Sequence, residues 1–313
     1  MATLKKSVEI IGHGIHSGAA VRMVVHPSKA HGIFFNRVDM PGTGPIAATY
    51  DNVGETKMRN TTIGDVKSAH VQTIEHLMAA LFVAGVDSAV IDIDGPETPI
   101  LDGSAAEFYK DFIDAGVTRG NMKKIVVRRT VVAHAAEVRR GMNIFSRIKW
   151  WLINTVSGRK SNGYVKLEPG DGKTLDITAT LIYPEKIIGA QTFSFKFDGT
   201  KKSVDAFVRD IARARTFGKY SEWEYLKKHG MARGANENNV IALNNLGDGT
   251  LNKTIWPDEF VRHKIIDAIG DMNTSGGFIV GKLTSFKGSH ALNNLVLKKL
   301  FSNPENYDII GSK

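Results

Sequence analysis

Residues 72–94 read QTIEHLMAALFVAGVDSAVIDID. The stretch holds two periodicities. From 72 to 84 apolar residues recur at helical spacing, with Ile74, Leu77, Met78 and Leu81 forming one stripe, and Gly85 stops the pattern. From Ser88 to Asp94 the β-branched composition is that of a strand, closed by Gly95-Pro96. Upstream, residues 7–11 and 20–26 read as strands joined by the glycine-rich turn Gly12-His13-Gly14-Ile15-His16-Ser17-Gly18. Downstream, 104–115 reads as a second helix, with Ser104 as N-cap and Gly116 as terminator. Strands followed by two helices make one α+β half.

Polarity rises over 117–124, TRGNMKKI, and the pattern restarts. IVVRRTVVAH (125–134), TLDITATLIY (174–183) and QTFSFKF (191–197) read as strands, and SVDAFVRDIARA (203–214) as a helix capped by Ser203. A helix over 258–272, a strand over 276–286 and a helix over 289–302 complete the order. The second half repeats the first in architecture. The expected fold is α+β with two similar domains, 1–122 and 123–313, a division that suits 313 residues.

Composition narrows the chemistry. With 42% hydrophobic and 23% charged residues, the chain reads as an ordinary globular protein. It has no cysteine, which excludes disulfides and thiolate metal sites, so any metal must use His nitrogen and carboxylate oxygen. No apolar run approaches the roughly 20 residues of a spanning helix. The N-terminus, MATLKKSVEIIGHG, lacks the apolar core of a secretory signal, so a cytoplasmic location is expected. The net charge of +9 invites a nucleic-acid reading. Six of those charges (Arg139, Arg140, Arg147, Lys149, Arg159 and Lys160) fall in one acid-free stretch between Val138 and Tyr164. The rest is mildly basic, as suits an enzyme for an anionic small substrate.

Candidate chemistry lies on the helices. In DEFVRHKIIDAIGDM (258–272), His263, Asp267 and Asp271 are spaced four apart and share one face. A His and an Asp one turn apart can bind one zinc ion, and a catalytic zinc site needs a third protein ligand. A solvated helical face has the same spacing. Glu75 and His76 are adjacent polar residues inside an apolar helix. Burying both costs several kcal/mol unless they are paired or metal-bound. They fit a ligand beside a general base, or a satisfied core His beside an exposed Glu. His290, in KGSHA (287–291), stands at a helix start, where the dipole biases its pKa. It fits a general acid or a plain surface His. Thr216, in RARTFG (213–218), can donate to an oxyanion, although the segment also fits a basic helix end. DGSAA (102–106) reads equally as a turn with an N-cap.

Together, GIHSG (14–18), TIEHLMAAL (73–81), PETPILDGSAAEF (96–108), RARTFG (213–218), DEFVRHKIIDAIGD (258–271) and GSHALNN (288–294) resemble the zinc-dependent UDP-3-O-acyl-N-acetylglucosamine deacetylases of lipid A synthesis. The resemblance spans nearly the whole chain in order. It implies hydrolysis of the N-acetyl group to acetate and a free amine. It also implies that the two α+β domains pack as a β-α-α-β sandwich. His76, His263 and Asp267 match the zinc ligands and Glu75 the general base. His290 matches the group that protonates the leaving amine, and Asp271 the acid that orients it. Lys264 matches a residue near substrate and oxyanion, Thr216 a hydroxyl that helps polarise the carbonyl, and Phe217 the start of the acyl-chain passage. Leu181, after Thr180, stands where relatives often place an aromatic residue against uracil. The segment 139–163 is longer than its counterpart, and Lys160 within it is the candidate diphosphate contact.

That segment has a pattern of its own. Ile144, Phe145, Ile148, Trp151, Leu152, Thr155 and Val156 recur at helical spacing, Trp150 and Ile153 widen the apolar side, and Arg147, Lys149 and Asn154 fall mostly away. A basic helix with an apolar, Trp-bearing face suits peripheral contact with an anionic membrane surface. It equally suits packing on the second domain or self-association.

Overall fold

The alternation read from the N-terminal residues builds a sheet covered on one face by helices. In a computed structural model, residues 1–54, 60–118, 120, 122–140, 162–228, 230 and 232–311 are described. The N-terminal half runs β1 (Val8–His13), β2 (Ala20–Pro27), β3 (Gly32–Arg37), β4 (Ile46–Ala47), β5 (Ile63–Gly64), β6 (His70–Val71), α1 (Glu75–Ala84), β7 (Ser88–Ile93) and α2 (Ala106–Ala115). The C-terminal half opens with β8 (Lys124–Val127), β9 (Val131–His134), α3 (Ala135–Arg140), β10 (Tyr164–Glu168), β11 (Leu175–Ile182) and β12 (Ala190–Phe197). It continues with α4 (Lys201–Asp210), β13 (Phe217–Lys219), α5 (Tyr220–Lys228), β14 (Ile241–Leu243), α6 (Glu259–Asn273), β15 (Phe278–Phe286), α7 (His290–Phe301) and β16 (Tyr307–Ile310).

The first sheet has the order β1-β2-β7-β3-β4, with β7 antiparallel to β2 and parallel to β3. The second has β12-β11-β15-β10-β9, with β8 on the first residues of β15 and β16 on β8. Each sheet turns alternate residues inward, as β2 does with Val21, Met23 and Val25. The helices lie between the sheets. α1 packs along α6 and against α2, and α6 meets α7, β11 and β12. Phe82 on α1 reaches the second sheet, stacking on Phe278 at 5.4 Å and tilting against Phe197 at 5.2 Å. The fold is thus the expected α+β sandwich, two sheets outside and helices within. Among the described residues, no helix is long and apolar enough to cross a membrane.

This layering explains α1. Every residue from Glu75 to Val83 is buried, so the helix is enclosed on all sides rather than carrying one apolar stripe. Gly85 ends it in the left-handed conformation, at φ 78°.

Several local expectations are revised. The run 125–134 is two strands, because the N–H groups of Arg128 and Arg129 donate to the Asn306 carbonyl and leave the ladder. The cap of α4 is Thr200, which accepts from the Ser203 N–H. α2 starts after Ala105, and the Ser104 hydroxyl bonds Asp102 and the Ala106 N–H. Arg139 and Arg140 close α3, whereas the helical pattern of 144–156 and Lys160 lie outside the described residues. Leu181 points into the core, 3% exposed, and so presents no face to a base. Thr180, beside it, bonds Thr192 across the sheet at 3.0 Å.

Candidate active site and metal centre

The site forms where α1 crosses α6 beneath the start of α7. His76 comes from the first turn of α1, and His263 and Asp267 from successive turns of α6. Their ligating atoms lie within 4.8 Å of one another, and all three residues are buried. Asp267 Oδ1 is 3.4 Å from His263 Nε2 and 3.6 Å from His76 Nε2. The two rings meet edge to face at 4.9 Å between centroids. His263 Nδ1–H donates to the Ala214 carbonyl at 2.9 Å, which leaves the Nε2 lone pair facing the cluster. Burial, more than its neighbours, pushes the His263 imidazolium down to about 3, so the ring is neutral.

The carboxylate of Asp267 is divided between two tasks. Oδ2 accepts from Lys264 Nζ at 2.6 Å. Oδ1 is buried with no hydrogen-bond donor. Burial works against the charge on Asp267, yet the Lys264 ammonium holds its carboxyl well below the usual range. Lys264 is partly buried, and although desolvation lowers its pKa the Asp267 carboxylate more than offsets this, so the pKa rises. An unpartnered carboxylate oxygen facing the His263 lone pair and the His76 Nε2 atom is an arrangement that a cation satisfies. Two imidazoles and one carboxylate are also a donor set of catalytic zinc sites, with the fourth position left for water or substrate. The residues therefore fit a divalent metal ion.

Two further groups flank this cluster. Glu75, 4% exposed, accepts from the Thr61 N–H through Oε2 at 2.9 Å. Burial raises its carboxyl above the usual range, although His290 and His76 oppose the shift. His290 is the first residue of α7, after the N-cap Ser289. Its Nδ1–H donates to Asp271 Oδ2 at 2.8 Å, while Nε2 lies 4.0 Å from Glu75 Oε1 and 3.9 Å from Asp267 Oδ2. The helix start is expected to bias the His290 pKa, and larger effects act on it here. Burial lowers it, but the Asp271 and Glu75 carboxylates prevail and raise it to about 10.

Phe217 stands over the other side. Its ring meets His263 at 6.2 Å and Phe260 at 5.1 Å, and Lys264 Nζ is 5.6 Å from its centroid. Thr216 is fixed through its main chain, to Gly103 at 2.9 Å and Ile241 at 2.8 Å. Its neighbours Ala214 and Phe217 carry the segment's contacts to His263. Glu75, His76, His263, Lys264, Asp267, Asp271, His290 and Phe217 are thus brought together from four segments.

Sequence reading missed the framework around them. Thr61 bonds Asp271 and Glu75, and Asn293 donates to Asp271 Oδ2 at 2.8 Å. Glu97, 1% exposed, accepts from the main chain of His16 and Ser17 and from the hydroxyls of Ser17 and Thr73. It ties the turn 14–18 to the residues before α1. A Cβ at Gly14 would lie 2.3 Å from Glu97 Oε2, so a larger residue there would displace this carboxylate from its donors. Thr73 has φ 60°, an unusual value for Thr, and Asn60, Glu97 and Thr98 all bond to it. The signal available in the sequence was only that GIHSG and PETPILDGSAAEF stand among the segments that carry the family resemblance.

Comparison with known proteins adds to this geometry. The family model described as UDP-3-O-acyl N-acetylglycosamine deacetylase matches residues 1–302. A UDP-3-O-acyl-N-acetylglucosamine deacetylase of Myxococcus xanthus is 35% identical over 314 residues, covering 99% of this chain and 89% of that protein. Proteins with the same name from Neisseria meningitidis serogroup B, 33% identical, and Colwellia psychrerythraea, 32% identical, each cover 98% of this chain and 91% of their own length.

Proposed function

Since this chain belongs to the family of UDP-3-O-acyl-N-acetylglucosamine deacetylases, we propose that His76, His263 and Asp267 hold the metal, as zinc, and that Glu75 and His290 move the protons of the reaction. The reaction is hydrolytic removal of the N-acetyl group from UDP-3-O-acyl-N-acetylglucosamine, giving acetate and a free amine, in lipid A biosynthesis. The observation that carries the assignment is Asp267 Oδ1, a buried acceptor without a donor that faces two imidazole nitrogens.

Zinc at such a site supplies Lewis-acid polarisation of the amide carbonyl and a lowered pKa for water. The remaining work falls to the chain. Glu75 Oε1, free of the Thr61 N–H that occupies Oε2, accepts the proton of the attacking water. His290 Nε2 donates a proton to the departing nitrogen, and Asp271 stabilises the charged ring from Nδ1. The 4.0 Å between the two groups exceeds a direct hydrogen bond, and a reacting atom lying beside the pair can reach both. Thr216 donates to the developing oxyanion, Lys264 keeps positive charge beside it, and Phe217 lines the path of the acyl chain.

We read residues 1–122 and 123–313 as the two domains, since β8 at Lys124 opens the second sheet. We place the reaction in the cytoplasm. We assign contact with anionic lipid to 139–163 on its sequence alone, and sedimentation with anionic vesicles, with and without that segment, tests the contact. The decisive assay for the function is acetate release from the UDP-linked acylated amino sugar. Activity should fall with a chelator and return with added zinc. Full activity in the metal-free protein would overturn the metal assignment, and no acetate release by the zinc-loaded protein would overturn the reaction.

A further inference from the structure

The gap between Glu75 and His290 requires something that fixes both groups at once, although they come from α1 and α7. Thr61 touches both networks. Its N–H donates to Glu75 Oε2 at 2.9 Å, and its hydroxyl lies 2.5 Å from Asp271 Oδ1 and 3.2 Å from His290 Nδ1. His290 Nδ1–H is directed to Asp271 Oδ2, so the single hydroxyl proton of Thr61 goes to Oδ1. The Asn293 amide adds a third donor, on Oδ2. The Asp271 carboxylate is thereby held through both oxygens and cannot rotate about its own bond.

We propose that Thr61 is a positioning residue for the reaction, with its N–H fixing the carboxylate of Glu75 and its hydroxyl fixing Asp271 and, through it, the His290 imidazole. Thr61 is itself anchored. It is 2% exposed, and its carbonyl accepts from the Ile74 N–H, one residue before Glu75. The preceding Asn60 donates to Thr73, and Thr73 donates to Glu97. A valine fills the same volume and keeps the N–H, but leaves Asp271 Oδ1 without its donor. The carboxylate then turns towards its other donors, and the His290 ring turns with it. Misplacement on the order of 1 Å is enough to cost about 10²-fold in rate.

This inference rests on the reading that Glu75 and His290 move the protons. The test compares zinc-loaded Thr61→Val and Thr61→Ser with the parent in the acetate-release assay. In Thr61→Val, kcat should fall at least about tenfold with KM within about twofold and metal content unchanged, while Thr61→Ser stays within about threefold of the parent. In an Asp271→Asn background, adding Thr61→Val should cost less than about twofold more, because the hydroxyl acts through that carboxylate. Should Thr61→Val not fold, Thr61→Ala against Thr61→Ser isolates the same hydroxyl. Parent-like kcat without the hydroxyl, equal loss in the serine variant, or full additivity with Asp271→Asn would each overturn the proposal. Near-parent rates in Glu75→Gln or His290→Ala would instead remove the reading on which it rests.

Discussion

The Cβ that Gly270 lacks would lie 1.9 Å from the carbonyl oxygen of Glu75, so α6 and α1 meet backbone to backbone beside the site. Gly270 precedes Asp271, and Glu75 precedes His76. The closest approach of the two helices therefore coincides with the groups that must converge. Alanine would gain up to about 1 kcal/mol in helix propensity. Forcing the helices apart costs about 1–3 kcal/mol or more, and the clash is with main chain that cannot swing aside. Gly270→Ala should lower the urea midpoint and weaken metal binding together. An unchanged midpoint with full metal occupancy would show that this approach is not needed.

His263→Ala and Asp267→Ala should each abolish tight binding of a zinc ion, since each removes one of the three convergent groups proposed to hold it. Metal analysis after dialysis against a weak chelator is the direct measurement. Added zinc should raise the melting temperature of the parent and leave that of the variants in place. Asp267→Ala has a second expected effect, loss of stability without metal, because the partly buried Lys264 loses its carboxylate partner. Stoichiometric zinc in either variant would sink the ligand assignment.

Glu75→Gln and His290→Ala should keep the metal and lose activity by about 10²–10⁴-fold, the usual contribution of a positioned acid or base. Neither side chain supplies an atom to the ligand cluster. Metal content and kcat measured on the same samples separate the two roles. A variant that lost both would belong with the ligands instead.

The residues legible in the sequence were those whose spacing encodes a face. His263, Asp267 and Asp271 fall on one side of α6 because four residues make nearly one turn, and Glu75-His76 stood out as polar residues in an apolar helix. Long-range partners carry no such signature. Thr61 meets Asp271 across 210 positions, and Glu97 meets the turn at His16 across 81. α5 escaped because none of its residues is fully buried, and periodicity is visible only where one face is apolar. β16 escaped for a related reason, as an edge strand with Ile309 and Ile310 exposed. The division of 125–134 was set by Asn306, far along the chain, and not by residues in the run.

The pH dependence of kcat follows from the same charges. As the proposed proton acceptor, Glu75 must be deprotonated, and burial raises its carboxyl above the ordinary 4.5, so activity is lost as pH falls through that raised value. As the proposed proton donor, His290 must be protonated. Burial lowers its pKa, but Asp271 and then Glu75 outweigh burial and raise it from 6.5 to about 10, so activity is lost as pH rises towards 10. The profile should be bell-shaped. Asp271→Asn removes the larger of the two raising charges and keeps the side-chain volume. Its alkaline limb should move down towards the ordinary histidine value, while the acid limb, set mainly by burial of Glu75, moves little. The check is kcat across the pH range for parent and variant, with bound zinc measured at each pH. An alkaline limb that stays in place in Asp271→Asn would assign that limb to a group other than His290.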